Sequence, residues 1–371
     1  MRDTYSTARL FAIGLAAMLA TLALMVALPH DRYVRWQDER TEAYARLGWV
    51  YERVHYDRTP TDIVLVGTSH TMNGLDGLAI AQRIAATGAR AADGRCLTVS
   101  NLAIPSYGRN LHWAIVHELL SARKPRALVL EVFENETRKA HPMFWRVADS
   151  ADLVRAPILL NQNYVGDLIR LPYRQLKLAV ESAAPAQFGL KPAFSLATYD
   201  GSTVDNTRIV NVHGQAFTPP LTRVLDPVTL EAAAASRREN KNLNMLPAAL
   251  ERFEYAVPRH YVAALLAEAD KAGVPVILLY LPGYGMPPRP FDMRLFRGRP
   301  MMTVNDLLRH REFWHDPDHL NAQGATAVSR RVADLLAPRV AAAPTQSPTP
   351  AGGCDFGVPP RPITIPFRKQ Q

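Results

Sequence analysis

Cysteine is nearly absent: Cys96 and Cys354 are the only two in 371 residues. Two thiols are too few for a disulfide framework or a cysteine-built zinc cluster. They allow one bridge if the chain lies outside the cytoplasm, or two unpaired thiols, and the sequence leaves both open. Lysine is scarce as well, 7 residues against 36 arginines, which we read as mostly genomic base composition. Acidic residues are the minority charge, 34 against 43 basic, and the formal net charge is +9. Such a balance favours an anionic partner: a phospholipid surface, nucleic acid or an acidic polysaccharide. No five basic residues run together and no nucleic-acid module is recognisable, so nucleic acid is set aside. No internal repeat is visible. With 48% hydrophobic and 21% charged residues, the chain is neither wholly disordered, nor collagen-like, nor a many-spanning membrane protein.

One long apolar run is present. Leu10 to Leu28 holds 19 residues without a charge. At about 1.5 Å per residue it nearly crosses a hydrocarbon core of about 30 Å. A cleaved signal peptide is the rival, but its apolar region is usually about 7–15 residues and ends in a small-x-small site. Here the run is longer and ends Val26-Ala27-Leu28-Pro29, and no cysteine follows for lipidation. Residues 1–28 therefore read as an uncleaved signal anchor. Arg2 and Arg9 precede the run while Arg32, Arg35 and Arg40 follow it, so basic residues alone do not orient it. Residues 29–60, with Trp36, Tyr44, Trp49 and Tyr51, read as a juxtamembrane helix or linker.

From residue 61 the pattern changes. Apolar runs at 62–66, 97–99, 127–132 and 274–280 are continuous rather than alternating, which suits strands buried on both faces of a parallel sheet. Leu111, Ala114, Ile115 and Leu119 have helical spacing, as do Val262, Leu265 and Leu266. The alternation predicts an open, doubly wound α/β domain over 61–337. Residues 137–257 break the rhythm and read as an insertion or cap. From Pro338 the tail carries eight prolines in 34 residues and reads as disordered, with Pro338 ending the last helix.

Three segments carry candidate chemistry, each after a strand or beside one, where open α/β sheets bind ligands. Gly67-Thr68-Ser69-His70-Thr71 follows the first strand. A small residue ahead of a serine at a strand-to-helix turn lets the hydroxyl stand exposed, although Thr71 stands where a Gly-x-Ser-x-Gly elbow needs its second glycine. The bland alternative is a helix-capping serine. In His315-Asp316-Pro317-Asp318-His319-Leu320-Asn321, Asp316 and His319 are three apart and can reach one nucleophile together, with Asn321 capping the following helix. Its alternative is a polar turn or a metal site made from His310, His315, Asp316, Asp318 and His319. Metal is not favoured, since Pro317 breaks the helix that would align His315 with His319 and no His-Glu-x-x-His occurs. The third set is of oxyanion donors: the Gly108 N–H after the second strand and the Asn135 amide after the third. Each such donor contributes about 3–4 kcal/mol to a transition state.

The order Ser, Gly, Asn, then Asp-x-x-His resembles the SGNH (GDSL-like) hydrolase superfamily. Gly67-Thr68-Ser69 stands in its first block, with Thr68 in the usual Asp place, and Gly108 in its second. Asp316-Pro317-Asp318-His319 stands in its last. The third departs: Phe133-Glu134-Asn135-Glu136 replaces Gly-x-Asn-Asp. The resemblance covers roughly 61–137 and 258–337. It implies a flavodoxin-like three-layer sandwich with a parallel sheet. It also implies Ser69, Asp316 and His319 as catalytic residues, with Ser69, Gly108 and Asn135 around the oxyanion. The anchor, the Gly-Thr-Ser-His start and the middle insertion look like the exported acyltransferase-like branch, which includes the alginate O-acetylation and D-alanyl-lipoteichoic acid proteins. That branch implies a bacterial inner-membrane protein with a periplasmic domain, a polysaccharide acceptor, often a membrane-bound O-acyltransferase partner, and no cofactor. An anchored esterase or deacetylase and a non-catalytic scaffold are the competing expectations.

His70, Tyr107 and Arg309 are candidate substrate contacts. For His70 the alternative is a cap or a solvent-facing residue. For Tyr107, and for Trp145, it is core packing. Arg294, Arg297, Arg299, Arg309 and Arg311 are either an anion-binding face or a solvated basic one. Glu131, Glu134 and Glu136 are candidate partners for some of them.

Overall fold

The structure is a computed structural model. It describes residues 2–341 except 41, 205–209, 213–214, 218–221, 240–245 and 291, together with Cys354 and Phe356. The chain opens with α1 (Arg2–Val26), α2 (Arg32–Gln37) and α3 (Arg46–His55). It continues through β1 (Ile63–Val66), α4 (Ser69–Gly74), α5 (Gly77–Ala86), β2 (Val99–Asn101), α6 (Arg109–Ala122) and β3 (Ala127–Val132). The middle segment holds α7 (Phe144–Val147), α8 (Ser150–Arg155), α9 (Tyr164–Ala183), the hairpin β4 (Val210–Val212) and β5 (Gln215–Phe217), α10 (Pro227–Glu239) and α11 (Glu251–Glu254). Then come α12 (Ala256–Ala272), β6 (Val276–Tyr280), β7 (Met301–Thr303) and α13 (Ala322–Val340).

Five strands pair in parallel in the order β2-β1-β3-β6-β7. Counting only these five, the order is 2-1-3-4-5, the flavodoxin-like doubly wound arrangement, whose switch point lies between the first and third strands. Side chains alternate between two cores. Val64, Val66, Leu128, Leu130 and Leu278 face one; Ile63, Leu65, Val129, Ile277 and Leu279 face the other. That two-sided burial is why the strands read as unbroken apolar runs. Helices α3, α6 and α12 cover the first face, and α5 and α13 cover the second. A fully buried leucine here contributes about 1.5–3 kcal/mol.

Several boundaries differ from the sequence reading. The 97–99 run pairs as Val99–Asn101, because Ile63 takes Val99 as its partner. Edge strand β7 was not foreseen; Met301-Met302-Thr303 is too short to show a period. Pro338 does not end the last helix, which runs to Val340. Its missing N–H forfeits only a bond to the carbonyl of exposed Asp334 in the final turn, and Ala341 still closes on the Ala337 carbonyl. The expected disorder of 342–371 lies outside the described residues, apart from Cys354 and Phe356. Cys354 is bonded to Cys96, with Cα atoms 5.8 Å apart.

The 29–60 stretch is built into the domain. Tyr33, Trp36, Leu47, Val50 and Val54 are buried in the first core, and α3 packs on α6. The insertion divides its contacts: α9 packs against α1, α2 and α8, whereas Leu230 and Ala234 of α10 join the second core. Thr7–Val26 of α1 has a mean hydropathy of 2.1, holds no buried residue, and is long and apolar enough to cross a membrane.

Candidate active site

β1 ends at Val66, and the chain turns at Gly67 directly into α4. A Cβ at Gly67 would lie 2.3 Å from both a Glu131 carboxylate oxygen and Thr71 Oγ1, so only glycine fits. Thr68, not Ser69, is the N-cap, its hydroxyl oxygen accepting from the His70 N–H at 3.3 Å. Ser69 is thereby freed as the first helical residue, and its N–H has no intrahelical partner.

At the other end of the chain, the 315–320 loop is closed by an antiparallel bridge between Trp314 and Leu320. Asp316 Oδ1 accepts the backbone N–H of Asp318 at 2.7 Å and of His319 at 2.8 Å, an Asx-type turn. Asn321 then caps α13 by accepting the Gly324 N–H at 3.0 Å, as its position had suggested. This loop brings His319 Nε2 to 2.7 Å from Ser69 Oγ, while Nδ1 lies 2.9 Å from Asp316 Oδ2. The partners assign the tautomer: Nδ1–H donates to the carboxylate, and Nε2 accepts from the serine hydroxyl. Burial would raise the Asp316 carboxyl. The hydrogen bond and charge of His319, with the Asp318 N–H, outweigh it and hold Asp316 well below the usual carboxylate range. His315 Nε2 also lies 3.2 Å from Asp316, and burial lowers the pKa of that imidazole. His315, Asp316 and His319 present ligand atoms within 4.8 Å of one another, so one cluster serves the hydrogen-bond relay and offers a metal-like geometry.

The relay rests on residues the sequence did not single out for it. Glu131, fully buried near the end of β3, accepts from the Thr68 N–H at 2.7 Å, the Thr68 hydroxyl at 3.0 Å and the Thr71 hydroxyl at 2.6 Å. It pairs with none of the five arginines proposed for it. Asn101, at the end of β2, donates to the Thr71 and Leu75 carbonyls, each at 2.9 Å, and so fixes α4 from behind. Arg237 of α10 pairs with Asp318 at 2.5 Å and donates to the Pro317 carbonyl at 2.8 Å. The insertion therefore reaches the 315–320 loop. A buried carboxylate or amide leaves no periodic trace in a sequence, and the partner of Arg237 lies 80 positions away, which is why these three roles were missed.

His70 is buried, not solvent-facing. Its Nδ1–H donates to the Leu281 carbonyl at 3.1 Å, and its ring lies edge-on to His319 at 5.6 Å. Half-exposed Tyr107 packs edge-on against Phe133 and His70, beside the relay rather than in the core. Gly108 starts α6 with φ 154°, and a Cβ there would strike the backbone and side chain of His141 at 2.3 Å. The close approach that demands glycine is thus made by the protein itself. The turn after β3 is held by buried Arg109, which donates to Glu136 at 2.9 Å and to the Glu131 carbonyl at 2.8 Å. It is also held by Glu134, which accepts the Gly283 N–H at 2.7 Å. Asn135 sits on this turn, and among the described residues its amide has no hydrogen-bond partner.

Arg309 lies apart from the relay. It lines a neighbouring cavity of about 320 Å³ with Glu231, Gly283, Tyr284, Asn305 and Leu308. Trp145 packs against the first core, under the guanidinium of Arg146 at 4.6 Å. Of the other arginines near the last block, Arg294 pairs with Asp292 and Glu251, Arg299 with Asp270 and Arg311 with Glu231. The chain matches no protein-family model and none of the curated proteins.

Proposed function

We propose that this protein is a membrane-anchored, SGNH-type serine O-acyltransferase that moves an acyl group, most simply acetyl, onto a cell-envelope polysaccharide. The observation that carries the reading is the Ser69–His319–Asp316 relay at the carboxyl edge of a parallel sheet, beside its switch point. In the proposed reaction, Ser69 Oγ bonds to the acyl carbon while His319 Nε2 takes its proton. Asp316 holds the imidazole and balances its charge. The Ser69 and Gly108 N–H groups and the Asn135 amide are the proposed oxyanion donors. His319 returns the proton to the donor's leaving oxygen. A sugar hydroxyl, giving its proton to His319, then attacks the acyl carbon; the new ester forms, the bond from the acyl carbon to Ser69 Oγ breaks, and His319 passes that proton back to Ser69 Oγ. No cofactor is called for.

Helix α1 supports the anchor, and the disulfide supports an oxidising compartment, so the domain is assigned to the periplasm with the N-terminus inside. A membrane-bound O-acyltransferase is the proposed supplier of the acyl group. Hydrolysis shares the acyl-enzyme and differs only in the acceptor. The test uses the full chain in detergent with a chromogenic acetyl ester. Wild type releases acetyl slowly and Ser69→Ala does not; acetylated glycan appearing when an acceptor is added separates transfer from hydrolysis. Equal release by both proteins overturns Ser69 as nucleophile, and two inert proteins favour a scaffold.

A further inference from the structure

Helix α9 turns an apolar stripe to the outside. Val165, Ile169, Tyr173, Leu176 and Val180 recur at intervals of three and four, so they form one stripe, and that stripe is the exposed face. Ile169 is 74% exposed and Tyr173 66%. The buried face carries Leu171 and Leu178, but also the polar residues Asp167, Arg174, Gln175 and Glu181. Arg174 donates to the Ala148 carbonyl at 2.6 Å, Gln175 to Ser150 Oγ at 2.5 Å, and Lys177 pairs with Asp38 and Glu181. A helix in water presents the opposite arrangement. The anomaly continues into the preceding loop, where Ile158, Leu159 and Leu160 are consecutive and exposed, next to exposed Val154. Outside α1, nine of the fifteen large exposed hydrophobic residues among those described fall between Val154 and Val180. Scattered apolar residues need no explanation, but a contiguous patch does.

The position of the patch names its occupant. Helix α1 leaves the domain at α9: Gln175 Nε2 donates to the Val26 carbonyl at 3.3 Å, and the Asp31 N–H to Ser182 Oγ at 2.8 Å. Where α1 enters a bilayer, α9, about 30 Å long, lies at its surface. Exposed Arg155 and Arg170 accompany the stripe, and the Arg170 guanidinium stacks 5.5 Å from half-buried Trp145. Cations and an indole beside an apolar face are what a headgroup layer accommodates.

We infer that α9 and the 158–160 loop form a second membrane-binding element, which beds the domain on the lipid surface that α1 enters. The inference rests on the anchor reading of α1. Because α1 is in the chain throughout, vesicle binding alone does not test it. The measurement places an environment-sensitive fluorophore on Ile169→Cys or Leu159→Cys in the full-length protein; the native cysteines are occupied by their disulfide. Arg330→Cys on α13, across the sheet, is the control. The proteins are reconstituted into vesicles of phosphatidylethanolamine and phosphatidylglycerol. The expected result is blue-shifted emission at 169 and 159, quenched by nitroxide-labelled lipid and shielded from iodide, with the control reversed. Iodide quenching equal to the control overturns the inference while leaving the anchor intact. Shielding from both quenchers also overturns it, in favour of a second copy as the occupant. A protein that fails to float with vesicles overturns the anchor and this inference together.

Discussion

His319 bridges its two partners in one direction only. Its Nδ1–H must donate to Asp316 for Nε2 to accept from Ser69. Asp316→Asn puts an amide N–H at that acceptor and favours the other tautomer. We expect kcat for ester release to fall by about 10⁴ with the circular dichroism spectrum unchanged. A second residue-scale prediction concerns stability. His141 Nε2–H donates to the Pro105 carbonyl at 2.7 Å, and Nδ1 accepts the Met143 N–H at 3.0 Å, so both ring nitrogens require the neutral form. Burial lowers its pKa from 6.5 to about 4. Burial and Arg109 push His112 the same way. The unfolded chain therefore binds more protons below pH 6.5, and stability falls as pH drops from 6.5 towards 4, by about 3 kcal/mol for His141. Thermal melts across that window should show the loss, and His141→Gln should reduce its slope. Ser69, Asp316 and His319 were legible because each lies in a short local motif. Glu131 and Arg237 were not, because what they do is decided by partners far away in the chain.

At the scale of elements, the site depends on how β1 hands over to α4. Gly67 leaves room for the Glu131 carboxylate, which gathers three donors from the turn; Asn101 holds the far end of α4. Gly67→Ala forces that carboxylate and Thr71 apart. We expect a destabilisation of about 1–3 kcal/mol in denaturant titration, with acetyl release reduced far more than stability. A variant that keeps wild-type turnover would show that this turn does not position Ser69. The central strands were legible because burial on both faces makes continuous apolar runs, and α13 because its cap and stripe are local. Strand β7 and the packing of α2 and α3 were not: a three-residue edge has no period, and aromatic residues read equally as linker or core until their partners are known.

Across the whole molecule, positions far apart in the chain are joined on one domain. The Cys96–Cys354 bond joins positions 258 residues apart, and Phe356 packs against the second core beside it. Reduction with dithiothreitol should lower stability by about 2–5 kcal/mol, read as a fall in Tm that Cys354→Ser reproduces without reductant. No change in Tm would mean that the tail contributes nothing to the domain. That pairing was one of two readings open in the sequence, since thiols 258 positions apart meet only through the fold. The insertion likewise became intelligible only once α10 met the 315–320 loop and α9 met α1.

The most direct test of the Ser69–His319–Asp316 relay is covalent. Full-length protein in detergent is treated with a fluorophosphonate, and the adduct is located by intact-mass and peptide mass spectrometry. The relay predicts one adduct, on Ser69, formed by wild type and suppressed in His319→Ala. Labelling that persists in Ser69→Ala, or wild type that stays unlabelled while folded, would contradict it.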